Sequence, residues 1–139
     1  MKNLSQHKTK VNARELLVQA LYEFSFGHND AESIENSFRK DFTKSKVDYI
    51  FFRNIFSHVT KNKKELTKYI HAQAELELFG IKTIEVMEEN ILMIISAENE
   101  LEETPKEVLI DEGVRLGKKF CADNSFKFIN ATLEKLLKS

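Results

Sequence analysis

One proline and four glycines in 139 residues constrain this chain more than any other feature of its sequence. Sandwiches and barrels of short strands need a tight turn every few residues, and those turns draw on glycine and proline. So sparse a supply leaves long uninterrupted segments, and the expected class is all-α. The length suits one domain over residues 1–139, large enough to bury a core without disulfides or a metal. Apolar residues make up 42% and charged residues 31%, a balance that excludes a disordered acidic or basic tail as the whole chain.

Apolar spacing predicts about seven helices. Asn12 and Glu15 form a cap-like pair opening a helix that carries Leu17, Ala20, Leu21 and Phe24 to about Phe26, where Gly27 supplies a left-handed stop. Asn29 and Asp30 start a short second helix with Ile34, Phe38 and Phe42 on one face. Ser45 and Asp48 cap a third, whose stripe is Val47, Ile50, Phe51, Ile55 and Val59, ending near Lys61. Leu66, Tyr69 and Ile70 mark a fourth, extended to about Phe79 before Gly80. Met87, Ile91, Ile94 and Ile95 give an apolar fifth helix with an acidic flank. Thr104, Pro105 and Glu107 read as hydroxyl cap, first-turn proline and reciprocal glutamate of a sixth. Its stripe is Val108, Ile110, Val114, Gly117 and Phe120, and Gly113 and Gly117 invite close approach of another helix. After a break at Asp123 to Ser125, the last helix presents Ile129, Leu133, Leu136 and Leu137.

The net charge of -1 conceals segregation. Residues 1–14 carry four bases and no acids, and residues 15–35 five acids and no bases. Nine bases face three acids over residues 36–71, twelve acids face two bases over 72–112, and six bases face two acids from 113 onward. Such blocks give either a basic face for phosphates and an acidic face for a basic protein, or solvated helix faces whose charges intermix.

Chemistry-bearing patterns are missing. His7, His28, His58 and His71 lie far apart with no ligand spacing, so no metal site is expected. There is no phosphate-cradling glycine loop and no nucleophile elbow, and no cofactor is expected. Cys121 is the one cysteine, which excludes an internal disulfide, and it reads as an inert thiol rather than a nucleophile. The expectation is a non-enzyme. Residues 1–10 lack the apolar stretch of a secretory signal, and the longest apolar run, Ile91 to Ile95, is far short of the roughly 20 residues that span a bilayer. A cytoplasmic protein without a membrane helix is expected.

Three stretches resemble the NusB family of transcription antitermination factors: ARELLVQALYEF (Ala13 to Phe24), VDYIFFR (Val47 to Arg53) and PKEVLIDEGVRLGKKFCADNSFKFINATLEKL (Pro105 to Leu136). The last is the most specific, with an INEA-like IDEG, an LAKKF-like LGKKF and a DSxKFVN-like NSFKFIN in order and without a gap. Nearly the whole chain is covered, weakly between Lys61 and Met87. The resemblance implies two small helical bundles packed as one compact domain, binding of single-stranded boxA RNA and partnership with NusE, a ribosomal protein of the small subunit. It also implies action on the elongating RNA polymerase with other Nus factors, in support of ribosomal RNA transcription, by a monomer or weak homodimer.

By the same resemblance, RNA faces a basic N-terminal arm of residues 1–11 and the start of the first helix, matched here by Lys8, Lys10 and Arg14. The arm is thinner than usual, KTKVNAR standing where an arginine cluster is common, with Lys2 as a further cation; a solubilising tail is the alternative. A second RNA element matches at Lys118, Phe120, Asn124, Ser125, Lys127 and Phe128. Lysines interleaved with rings suit phosphates and base faces, although core packing explains Phe128 better. Tyr22 and Glu88 match partner-facing positions, and Glu85 and Glu89 extend the acidic surface toward NusE. Met93 and Ala97 depart from the pattern, replacing a common Arg and Tyr, so the charge network of that helix must differ. The competing readings are an RNA-positioning domain related to those of ribosomal RNA methyltransferases, or a helical adaptor without RNA binding.

Overall fold

The computed structural model describes residues 4–40 and 46–137, with side chains from residue 7 onward. Among them are seven α-helices and no strand: α1 (Leu4–Ser25), α2 (Ala31–Arg39), α3 (Tyr49–Lys61), α4 (Lys63–Gln73), α5 (Val86–Leu101), α6 (Lys106–Phe120) and α7 (Ser125–Leu136). They fall into two compact units, Met1–Lys61 and Asn62–Ser139. No helix of the described residues is long and apolar enough to cross a membrane.

In the first unit α1 packs on α3, and α2 on both. Ala13, Leu17, Val18, Ala20 and Leu21 of α1 are buried against a ring-rich face of α3, Phe51, Phe52, Ile55, Phe56 and Val59. Phe52 stacks on Phe56 with centroids 5.7 Å apart, and Phe24 meets Phe56 edge-on at 6.3 Å. The cap is as expected at Asp30, whose carboxylate accepts the Ser33 amide at 2.8 Å, whereas Asp48, read as the second member of a pair with Ser45, caps α3 itself by accepting the Phe51 amide at 3.0 Å, which leaves Val47 ahead of the helix. Gly27 stops α1 at φ +73°, a conformation that costs glycine little. Phe42, Ser45 and Lys2 lie outside the described residues.

Two expectations for this unit change. Helix α1 starts at Leu4 rather than Asn12, because nothing between Leu4 and Ser25 interrupts it. The Asn12 side chain is used laterally instead, donating to the Lys46 carbonyl at 2.8 Å, so most of the expected arm, residues 4–11, is helix. Ile50, placed in the apolar stripe of α3, is 70% exposed, and the buried face runs through Phe51 and Phe52.

The second unit is built around α5, where Ile91 to Ile95 and Ala97 are all completely buried. A helix covered on every side is central, and α4, α6 and α7 each pack on it. Met93 and Ala97 are apolar filling in that interior. Helix α4 ends at Gln73, not Phe79; a turn follows in which the Gly80 amide donates to the Glu77 carbonyl at 3.1 Å and Ile81 to Leu76 at 2.8 Å. Before α6, Pro105 rather than Thr104 is the cap residue, and the Thr104 hydroxyl donates to buried Glu98 at 2.7 Å. A buried carboxylate needs donors, and a hydroxyl donating to a carboxylate makes a stronger bond than a neutral pair. The covered face of α6 is also turned by one residue, with Leu109, Glu112, Gly113, Leu116 and Gly117 buried and Val108, Ile110, Val114 and Phe120 only partly so.

Gly113 and Gly117 bring α7 close, as their spacing suggests. A Cβ at Gly113 would overlap Leu133 Cδ1, and one at Gly117 would lie 2.7 Å from Ile129 Cδ1. Gly113→Ala is therefore expected to destabilise the protein by about 1–3 kcal/mol through overpacking, partly offset by roughly 1 kcal/mol of helix propensity. In a Leu133→Ala background the same change should become neutral or stabilising. Urea midpoints of the four variants measure this, and an equal loss in both backgrounds would contradict the assigned contact.

Candidate nucleic-acid interface

In the first unit Lys8 is exposed on α1, whereas Lys10 and Arg14, one turn apart, converge on a single ring. The Lys10 ammonium lies 5.5 Å and the Arg14 guanidinium 5.4 Å from the Phe51 centroid. Arg14 is only 2% exposed. This corrects the expectation of a cation at an open helix start: α1 begins ten residues before Arg14, and a desolvated cation on a ring face contributes packing energy, up to about 2 kcal/mol. Phe51 was legible only as an apolar stripe residue. Toward the other end of α1, Tyr22 is 41% exposed and stacks edge-on with Phe26, 56% exposed, at 4.8 Å.

In the second unit the last turn of α6 carries Lys118 and Lys119, both exposed and favoured by the carbonyl end of the helix. Lys118 sits 4.7 Å from the Phe126 centroid and Lys119 5.8 Å from that of Phe120. Phe126, half-buried, is the ring that sequence reasoning passed over; its place among NSFKFIN was visible, but its pairing with Lys118 needs the turn between helices. Phe128 is 1% exposed and belongs to the core, edge-on to Phe79 at 5.8 Å. Asn124 turns the chain at φ +73° and makes no side-chain cap bond, so it serves as one of the few residues that tolerate this backbone rather than as an acceptor for helix amides.

Asn124, Ser125 and Lys127 line a cleft of about 490 Å³. Its opposite side comes from the segment entering α5, with Lys82, Glu85 and Glu88. Lys82 and the cleft itself were not foreseen, because the two segments lie some forty residues apart and carry no shared motif. Here the acids part company. Glu85 is exposed; Glu88 is 4% exposed and accepts the Glu85 amide at 3.0 Å; Glu89 pairs with His71 Nε2 at 3.1 Å. The expected acidic outer face is therefore corrected: Glu88 caps α5, and it shares a cleft with four of the residues matched to RNA, Asn124, Ser125, Lys127 and Phe128. Among the described residues no group of three or more His, Cys, Asp or Glu is placed to hold a metal.

Cys121 closes α6 beside this cleft. Burial, and then the charges of Glu88 and Glu85, push its thiol up to about 11. A raised value means a scarcity of thiolate at neutral pH. At pH 8, alkylation by iodoacetamide should be more than about 100-fold slower than for an unstructured cysteine peptide. The rate should climb log-linearly from pH 7 to 9.5, and a plateau below pH 9 would contradict the assignment.

Comparison with known proteins agrees with this architecture. The chain matches the NusB family over residues 11–138. It is 35% identical over 127 residues to the transcription antitermination protein NusB of Sodalis glossinidius, covering 89% of this chain and 88% of that one. It is 35% identical over 132 residues to the NusB of Buchnera aphidicola, covering 94% and 90%. A solved structure of T. maritima NusB superposes with a TM-score of 0.73 at 24% identity, covering 95% of this chain and 93% of that one, which establishes the same all-α fold. On the family match and these relatives together, the chain belongs to the NusB family.

Proposed function

We propose that this chain is a non-enzymatic transcription antitermination factor that binds boxA-type single-stranded RNA together with the ribosomal protein NusE and acts on the elongating polymerase. The observation that carries the reading is the α6–α7 turn, where Lys118 lies over the Phe126 ring and exposed Lys127 adjoins Asn124 and Ser125 at a cleft. Single-stranded RNA offers phosphates to lysines and base faces to rings, and this turn supplies both within a few residues. Lys8 adds an exposed cation on α1. Arg14 and Lys10 act at one remove, through their packing on Phe51.

For NusE, the exposed pair of Tyr22 and Phe26 offers the kind of aromatic anchor that dominates protein interfaces. Glu85 supplies a charge suited to steering a basic partner. Tyr22→Ala is expected to weaken NusE capture by about tenfold while leaving helix content and affinity for RNA alone unchanged; parallel titrations with NusE and with RNA measure this, and an equal loss in both would contradict it.

The RNA reading is tested by titrating boxA RNA at several salt concentrations, with and without NusE. Affinity should fall steeply with salt, the log–log slope reflecting about 0.7 counterions per phosphate neutralised. Lys118→Glu with Lys127→Glu should weaken binding and flatten that slope at unchanged melting temperature. A flat salt response in the wild-type protein would overturn the reading.

A further inference from the structure

The first unit has a cavity of about 440 Å³ between α2, α3 and the end of α1. Its volume falls within the roughly 300–1,000 Å³ in which ligands are held. Phe24 and Phe56 supply its apolar wall, edge-on to each other at 6.3 Å. The Thr60 hydroxyl is turned back onto its own helix, donating to the Phe56 carbonyl at 2.9 Å, so its polar end is spent. Two exposed cations, Arg53 and Lys61, stand on the α3 side.

Helix α3 contains no acid in YIFFRNIFSHVTK, and its outer face runs through Ile50, Arg53, Asn54 and Lys61. The α2 side differs. Glu35 accepts the Tyr49 hydroxyl and lies 3.8 Å from Arg53 Nε, with its side chain only 19% exposed, so it is used inside the unit. The Arg53 side chain is 64% exposed, and a guanidinium carries five N–H donors, so most of them stay open. Glu32 is exposed in the first turn of α2. A carboxylate-bearing occupant is therefore drawn to the α3 rim and held off the α2 rim, which fixes its orientation.

Spacing narrows the occupant further. Arg53 and Lys61 are eight residues apart on one helix, about 12 Å along its axis. An extended peptide advances about 3.3 Å per residue, so acids four residues apart span about 13 Å. In that conformation the residue midway points to the same side as both acids. It meets the cavity between the two cations, where Phe24 and Phe56 suit a third ring packed edge-on or offset. A nucleic-acid strand fits less well, because its charge at every nucleotide brings phosphate against Glu32 as well as against the cations.

We infer that this cavity docks an extended acidic segment of a partner protein, with an aromatic side chain seated on Phe24 and Phe56 between two carboxylates that pair with Arg53 and Lys61. The inference goes beyond the reading above, since neither single-stranded RNA nor a basic ribosomal protein has this chemistry.

The test uses fluorescein-labelled Gly-Asp-Thr-Phe-Thr-Asp-Gly, measured by anisotropy at low salt with the full chain. Three control peptides change one feature each: Gly for Phe, Lys for both Asp, or the two Asp placed side by side. The parent peptide should bind about tenfold more tightly than any control. Arg53→Gln and Lys61→Gln should each weaken it about fivefold, with helix content unchanged and with affinity for boxA RNA unchanged in Lys61→Gln. Because Arg53 also meets Glu35, Lys61→Gln decides the matter if Arg53→Gln lowers the melting temperature. Equal binding of the parent and side-by-side peptides by the wild-type protein overturns the proposal without reliance on any variant, as does an unchanged affinity in Lys61→Gln. No binding of the parent peptide overturns it too, and a loss of RNA affinity in Lys61→Gln alongside that result would assign the α3 rim to nucleic acid instead.

Discussion

The close approach of α7 to α6 at two glycines is the constraint on which the candidate site depends. With no side chain at Gly113 or Gly117, Leu133 and Ile129 lie directly against the α6 backbone, and only four residues separate the end of α6 from the start of α7. That short return forces a left-handed residue, and Asn124 supplies it at φ +73°. Asparagine accepts this conformation at less cost than most residues with a side chain. The consequence reaches the surface: Lys118, near the end of one helix, comes to lie over Phe126, at the start of the next. A packing requirement in the interior thus sets the spacing of charge and ring outside.

Helix α5 shows how the same unit accommodates polar groups. Its residues Ile91 to Ile95 and Ala97 are covered all round, yet Glu88, Asn90 and Glu98 are buried with them. Burial of a carboxylate is costly unless donors hold it. Glu98 takes the Thr104 hydroxyl, and Glu88 takes the backbone amide of Glu85. In this way a charge is retained at a cleft that also carries Lys82, Lys127, Glu85 and Asp123, and the charges of Glu88 and Glu85 add to the burial that suppresses the acidity of Cys121.

In the first unit, Phe51 plays a comparable organising part. Its ring lies under both Lys10 and Arg14, while the segment before it is tied to α1 by the Asp48 amide on the Thr9 carbonyl at 3.2 Å and by the Asn12 side chain on Lys46. Cations that a linear reading assigns to phosphate are here structural in part, because a guanidinium loses little by leaving water for a ring face and adjoining partners. The exposed aromatic pair at the other end of α1 has no such covering.

The sequence by itself determined the helical class, the number of helices, the stops at Gly27 and before α7, and the two glycines of the α6–α7 contact. Each rests on local chemistry, on apolar period, capping oxygens or a missing Cβ, that neighbours in sequence express without help. The motif in residues 105–136 likewise pointed to the turn that carries Lys118, Asn124, Ser125 and Lys127. Tertiary structure decided the rest. Asn12 looked like a cap and became a lateral bond; Ile50 looked buried and is exposed; Glu88 looked like surface acid and is interior. The pairing of Lys118 with Phe126, and of the α4–α5 segment with the α6–α7 turn across one cleft, joins residues that no local pattern relates. Which face of a helix is covered, and which charges are desolvated, depends on what packs against it, and that information resides in the whole fold rather than in any window of sequence.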